Sequence, residues 1–330
     1  MNFAVVEKAF HVLDETARII ESECNCTYIE ALAETAENIF HDDVLQDELS
    51  ETTRKRLKKQ YGSLAFMDLD AVAKRKAFQL AILKGMKANV QPNHQMTPDS
   101  IGLFMGYLVG KLSRKEEKIR LLDPVAGTGN LLFTILEQLK GKYVDAVGCD
   151  IDDLLIKLAY NGANLLEYPI ELHNGDSIKP MFIDPVDIVT ADLPVGYYPD
   201  DEQAADYSVK AEKGHTYAHH LLIEQSVRHL KEGGYGLFIV PNSIFESEQS
   251  PLLHSFLKEA CYIQGLVALP LSLFKSKQAA KSILIVQKKK EGVEAPKNAL
   301  LVQLPKMSDS RAMQTILSQM DTWFRTEKGI

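Results

Sequence analysis

The sequence predicts an α/β protein with a doubly wound, mostly parallel sheet and a helical N-terminal domain. Three observations carry that prediction. From residue 119 onward short apolar runs alternate with helical patterns, as parallel strands joined by crossover helices do. Residues 1–88 show apolar residues at helical spacing and no strand-like run. Between Leu121 and Leu132 an apolar strand, a glycine turn and a helix start follow one another without a break.

Composition sets the outer limits. With 330 residues, 45% of them hydrophobic, the chain can bury the core of one large domain and a smaller one. It has no apolar run long enough to span a membrane, and residues 1–7 lack the basic start of a secretory signal. A cytoplasmic protein without membrane contact is expected. Cys24, Cys26, Cys149 and Cys261 match neither a zinc spacing nor a disulfide framework, so reduced thiols are expected. A net charge of −8 excludes a surface that grips nucleic acid everywhere, because non-specific affinity comes from phosphate neutralisation by Lys and Arg. The basic clusters at 54–59 and 74–76 read as solvated helix faces.

In order along the chain, Val5, Phe10, Val12, Leu13, Ile19 and Ile20, then Ile29, Leu32 and Ile39, then Phe78, Ile82 and Leu83 recur at helical spacing. They place a helical domain over residues 1–90. Residues 88–98, with Pro92 and Pro98, form a polar hinge to a second domain over 91–330. Thr97 is the expected N-cap, and Pro98 the first residue, of a helix reaching Leu112. Strands are expected at 119–122, 144–149, 170–174, 186–191 and 235–241, with helices at 130–140, 152–165 and 216–231. Apolar runs at 263–269 and 282–287 close the sheet as late strands. Residues 300–304 add a short strand and 313–322 a last amphipathic helix.

The glycine turn carries the first chemical signal. Gly127 and Gly129 permit close backbone approach, and the amides after them point out of a helix N-terminus. A dinucleotide loop requires a third glycine where Leu132 stands, and here Asp123 ends the strand. A carboxylate there repels a pyrophosphate but accepts hydrogen bonds from an ammonium group. The loop therefore fits S-adenosylmethionine better than NAD. Asp150, followed by Ile151 and Asp152, lies about twenty residues beyond Gly129, where a ribose-binding carboxylate belongs; either aspartate can instead cap the next helix. Asp176 and Ser177 end the third strand, where an acceptor can take an adenine amino group or simply make a turn. The fourth strand runs into Asp192-Leu193-Pro194-Val195-Gly196-Tyr197-Tyr198, the expected reaction site.

Together these residues resemble the amino-methylating class I S-adenosylmethionine-dependent methyltransferases, which have a Rossmann-like fold. The nearest resemblance is to the adenine-N6 DNA methyltransferase subunits of type I restriction-modification systems, over about residues 90 to 290. Gln95-Met96-Thr97-Pro98 is similar to the family's Gln-Phe-x-Thr-Pro, and Asp123-Pro124-Val125-Ala126-Gly127-Thr128-Gly129-Asn130 to its Asp-Pro-x-x-Gly-Thr-Gly loop. Leu230-Lys231-Glu232-Gly233-Gly234 resembles its Leu-Lys-x-Gly-Gly turn, and residues 267–270 and 281–286 its late hairpin. The resemblance implies that Met96, Thr97, Asp123, Pro124, Ala126, Gly127, Thr128, Gly129, Asn130, Asp150, Ile151, Asp176 and Ser177 hold the cofactor.

The family's reaction motif is Asn/Asp-Pro-Pro-Phe/Tyr. An exocyclic adenine amine is a poor nucleophile because its lone pair is conjugated into the ring, so two acceptors must hold its hydrogens and aim the nitrogen. The aromatic stacks on the flipped base, a contact worth roughly 1–3 kcal/mol. Here Asp192 and Pro194 are kept, Leu193 replaces the first proline, and Val195 replaces the aromatic. Tyr197 or Tyr198 is the expected substitute ring, with Gly196 allowing the bend. DNA is thus expected as the acceptor, and since no separate specificity region is left outside residues 90–290, sequence recognition falls to a partner protein, to the N-terminal helices or to neither. Two alternatives remain: transfer to RNA or to a protein amide, and an inactive S-adenosylmethionine-binding regulatory protein. The acidic stretch 199–207 counts against a tightly held duplex at this mouth. His215 and His219 stand four residues apart, but no acid has the offset a metal site needs, so packing at a helix start is expected and no metal.

Overall fold

The computed structural model describes residues 2–88 and 96–330. Most of the expected hinge, and with it the boundary after residue 90, lies outside the described residues. The first part holds α1 (Phe3–Cys24), α2 (Tyr28–His41), α3 (Glu51–Tyr61) and α4 (Ala71–Ala88). Thr27 caps α2 in a reciprocal box with Glu30, which fixes the turn out of α1. Then come α5 (Asp99–Leu112), β1 (Lys118–Asp123), α6 (Asn130–Gln138), β2 (Tyr143–Asp150), α7 (Asp153–Leu166), β3 (Ile170–Asn174) and β4 (Val186–Asp192). The chain continues through α8 (Asp201–Ala204), α9 (Ala218–His229), β5 (Leu230–Pro241), α10 (Ser250–Ala260), β6 (Cys261–Ala268), β7 (Lys281–Lys288), β8 (Leu300–Gln303) and α11 (Ser310–Lys328).

The eight strands form one sheet in the order β3-β2-β1-β4-β5-β7-β6-β8. Strands β1 to β5 are parallel, and the winding reverses between β1 and β4. Ligands bind outside the carboxyl ends of the strands at such a reversal. β7 inserts antiparallel between β5 and β6, and β8 lies parallel to β6. The mostly parallel, doubly wound sheet and the helical N-terminal part are as expected from the sequence. α10 is not among the expected elements; its buried Leu253 and Leu257 keep helical spacing, but Pro251, His254 and Lys258 dilute the pattern.

The N-terminal helices share a core in which Leu13, Ile20, Leu32 and Leu57 pack with Leu158 and Leu165 of α7. They therefore sit on one face of the sheet layer. The basic cluster on α3 is solvated, with Lys55, Arg56, Lys58 and Lys59 exposed. The cluster at 74–76 is not: Lys74 and Arg75 are 2% and 4% exposed. That corrects the expectation of a solvated face, and the reason is charge pairing. Arg75 meets Asp99 at 2.7 Å and Glu137 at 2.9 Å, and Lys74 meets Glu167 at 3.3 Å, so α4 is bound to α5, to α6 and to the end of α7.

A second correction concerns Thr97. Helix α5 begins at Asp99 with Pro98 at its N-cap and no side-chain cap, because the Thr97 hydroxyl is engaged elsewhere. The four cysteines are unbridged, Cys149 and Cys261 in the core. Among the described residues no helix is long and apolar enough to cross a membrane.

Candidate active site

At the reversal point the carboxyl ends of β1, β2 and β4 bring forward Asp123, Asp150 and Asp192. The glycine turn lies over them. Gly127 and Gly129 have φ of 54° and 79°, left-handed values that a side chain would strain. A Cβ on Gly129 would also come within 2.6 Å of the Phe133 ring. The turn is pinned by Ala126 N donating to Cys149 O at 2.8 Å and by Gly127 N donating to Asp150 Oδ2 at 2.7 Å. The other Asp150 oxygen accepts from Asp152 N. Helix capping falls to Asp152, which accepts from Leu154 N and Leu155 N. Ile151, between them, is 69% exposed, and a Cβ on Gly175 would meet nothing within 4 Å. Ser177 Oγ donates to Pro124 O at 2.5 Å and so ties the end of β3 to the turn.

One chain of hydrogen bonds crosses the site. Asn130 Nδ2 donates to Thr97 O at 2.8 Å, and Thr97 Oγ1 donates to Asp192 Oδ2 at 2.8 Å. Lys281 Nζ reaches the other oxygen, Oδ1, at 2.6 Å. The sheet register explains that reach: Asp192 pairs with Ile239 and Ile239 with Ile283, so Lys281, two residues earlier on β7, lies on the same face. Thr128 is buried beside this chain and Met96 half-buried; both line a small cleft with Asn130, Phe133 and Phe78.

After Asp192, Leu193 is fully buried and its N–H donates to Ile239 O, while Pro194 and Val195 are exposed. The two candidate tyrosines part company. Tyr198 is buried, and its hydroxyl donates to Asp176 Oδ2 at 2.6 Å. Tyr197 is 57% exposed and stacks on Tyr217, with centroids 4.8 Å apart and planes 13° from parallel. His219 and His220 pack behind Tyr217, both buried at the start of α9; His215, also expected to pack there, is instead exposed against Asp201, because it lies ahead of α9 in the preceding loop. Lys281 and Tyr217 were not singled out as site residues by sequence reasoning. Lys281 reads as the start of an apolar strand and Tyr217 as part of a helix start; only a strand pairing that placed β7 beside β5 would have marked the lysine.

The electrostatics favour a bound cation. Asp123 is 1% exposed, and among the described residues its side chain accepts one bond, from Val125 N. Burial, reinforced by the nearby Asp150 and Asp192 carboxylates, pushes its pKa up to about 8. An ammonium or sulfonium placed against it would relieve that cost. Burial lowers the pKa of His219 to about 4 and of His220 to about 3, helped by Lys281 in the first case, so both rings are neutral at physiological pH.

Residues 88–325 match the N-6 DNA methylase family, and residues 7–86 match the YtxK N-terminal helical domain. The chain belongs to the N-6 DNA methylase family. It is 48% identical to YtxK of Bacillus subtilis over 324 residues, covering 98% of each chain. A Listeria monocytogenes structure, provisionally described as a class I S-adenosylmethionine-dependent methyltransferase, superposes with a TM-score of 0.91 at 43% identity, covering 97% of this chain and 99% of that one. The methyltransferase subunit of a type I restriction-modification system from Streptococcus thermophilus shares the fold, with a TM-score of 0.69 at 18% identity over 97% of this chain and 73% of its own. This member of the N-6 DNA methylase family is an S-adenosylmethionine-dependent methyltransferase. The open space over Gly127 and the buried Asp123 suit that cofactor, which carries a sulfonium and an ammonium beside its carboxylate.

A pH dependence follows. The folded-state pKa of Asp123 is raised, so its contribution to stability is full below about pH 4, the unfolded carboxyl value, and is lost as pH rises to about 8. Binding a cation requires the ionised form. Affinity for S-adenosylmethionine is therefore expected to rise about tenfold per pH unit up to about pH 8 and then level off. Calorimetric titration of the N-6 DNA methylase family protein over that range checks this, and Asp123→Asn should flatten the profile.

Proposed function

We propose that the protein transfers a methyl group from S-adenosylmethionine to the exocyclic amine of adenine in DNA, in the cytoplasm, with a partner protein supplying sequence recognition. The observation that supports this most is the bonded chain from Asn130 through Thr97 to Asp192, which joins the glycine turn to the acceptor motif. In this reading residues 1–90 form a helical domain docked on a methyltransferase domain of residues 91–330.

The roles follow the chemistry of each position. Asp123, with Met96 and Thr97, holds the cationic methionine end, and Pro124, Ala126, Gly127, Thr128, Gly129 and Asn130 form the wall beside it. Asp150 stands where a ribose-binding carboxylate belongs, Ile151 offers exposed apolar surface to the adenine ring, and Asp176 and Ser177 face its edge. Bound S-adenosylmethionine supplies an electrophilic methyl on a sulfonium. Asp192 and the Leu193 carbonyl accept the two amine hydrogens and aim the nitrogen, Pro194 stiffens the turn, and Tyr197 takes the place of the aromatic missing at Val195. Tyr198 supports Asp176 from the core side.

Two observations favour a second reading. Both Asp192 oxygens already have partners and the motif's aromatic position holds Val195, which an S-adenosylmethionine-binding regulatory protein without transfer would tolerate. Incubation with methyl-tritiated S-adenosylmethionine and DNA, RNA or protein extract separates the readings. Label in DNA adenine is the expected result. Label in RNA or protein would move the acceptor, and binding without transfer would support the regulatory role.

A further inference from the structure

Lys281 has no part in the amine chemistry proposed for Asp192, yet its ammonium lies 2.6 Å from Asp192 Oδ1. Thr97 occupies Oδ2 at 2.8 Å, so each oxygen that would hold an amine already has a donor. The side chains of Lys281 and Asp192 are 25% and 19% exposed, which shields the pair from the screening that weakens surface ion pairs. Asp192 is the single salt-bridge partner of Lys281 among the described residues, and the neighbouring His219 is held neutral by burial.

A neutral amine arriving at Asp192 would replace an ion pair with a hydrogen bond to a single charge, and so forgo the attraction between two opposite charges. The ammonium keeps its place against such a competitor. The balance reverses when the acceptor brings its own anion within reach of the flexible lysine stem. Phosphate is the class that fits, as a compact anion for a compact, mobile cation. On the β7 side the connection carries exposed Lys275 and Lys277, and no acid occurs from Pro270 to Lys290, whereas the acids of 199–207 follow the motif on its other flank and oppose a duplex more than a single strand.

We propose that Lys281 is a specificity-determining residue, closing Asp192 to free nucleosides and opening it when a backbone phosphate beside the target base draws the ammonium away. The proposal rests on Asp192 being the amine acceptor. Binding is measured on protein loaded with S-adenosylhomocysteine, so that adenosine cannot occupy the cofactor's own adenine site. The probes are adenosine and short single-stranded DNA and RNA oligonucleotides containing adenine. Lys281→Met should bind adenosine about tenfold more tightly and the DNA or RNA probe about tenfold more weakly than the natural protein, while Lys281→Arg retains the natural preference. Unchanged affinity for S-adenosylhomocysteine shows that the variants are folded. If Lys281→Met binds both kinds of probe like the natural protein, the role of Lys281 is overturned and the acceptor class stands. If no oligonucleotide binds the natural protein or either variant, the acceptor class and the role of Lys281 both fall.

Discussion

Asp192→Ala is expected to lower methyl transfer by about 10² to 10³, the usual loss when one pre-aligned polar group is removed from a reacting centre. The variant also strands the Thr97 hydroxyl and the Lys281 ammonium, which now share that carboxylate. Asp192→Asn keeps an acceptor oxygen and loses the charge, so its activity should fall between alanine and the natural residue. Turnover on adenine-containing DNA and cofactor affinity are measured side by side for both variants. A fall in affinity as large as the fall in rate would mean that Asp192 serves cofactor binding and not the acceptor.

Arg75→Met is expected to destabilise the fold by about 3–5 kcal/mol, the range for breaking a buried ion pair from one side. Arg75 is 4% exposed and joins three helices, α4 through its own backbone and α5 and α6 through Asp99 and Glu137. Without it the Glu137 carboxylate, whose side chain is 16% exposed, loses its cation. Urea unfolding gives the difference directly. Its pH dependence has a definite sign. Burial raises the Asp99 pKa, but hydrogen bonds and charge from Lys76 and Arg75 outweigh it and leave the group below the ordinary carboxylate value. The stabilisation is therefore present at neutral pH and lost as pH falls below about 4, where the natural protein and the variant should converge.

The period of the apolar residues made most of the sheet legible. The third strand, expected at 170–174, is observed as Ile170–Asn174, and the glycine turn, Asp123 and the degenerate motif at Asp192 fall at the reversal point. What stayed hidden depends on contacts between distant residues. Period alone does not show that β7 enters between β5 and β6, so the bond from Lys281 to Asp192, 89 positions apart, has no local signal. Thr97 looks like a helix cap because the cap preference is local, whereas the partner it takes lies 95 residues away. Lys74 and Arg75 look solvated for the same reason: their counter-charges lie on α5, on α6 and beyond α7.

The position of β7 also bears on how the protein is made. It follows β6 in the chain but lies between β5 and β6, pairing with β5 from Tyr235 to Pro241. A nascent chain ending before residue 281 thus presents Leu237, Phe238, Ile239 and Val240 on an open edge, the kind of template on which strands from other molecules add. Natural sheets usually guard such edges with charge or with short strands; here the guard is a strand synthesised late. The same segment brings the lysine to Asp192. A molecule whose sheet is unfinished therefore lacks both a neutralised acceptor and a protected edge, and completion of β7 gives both at once.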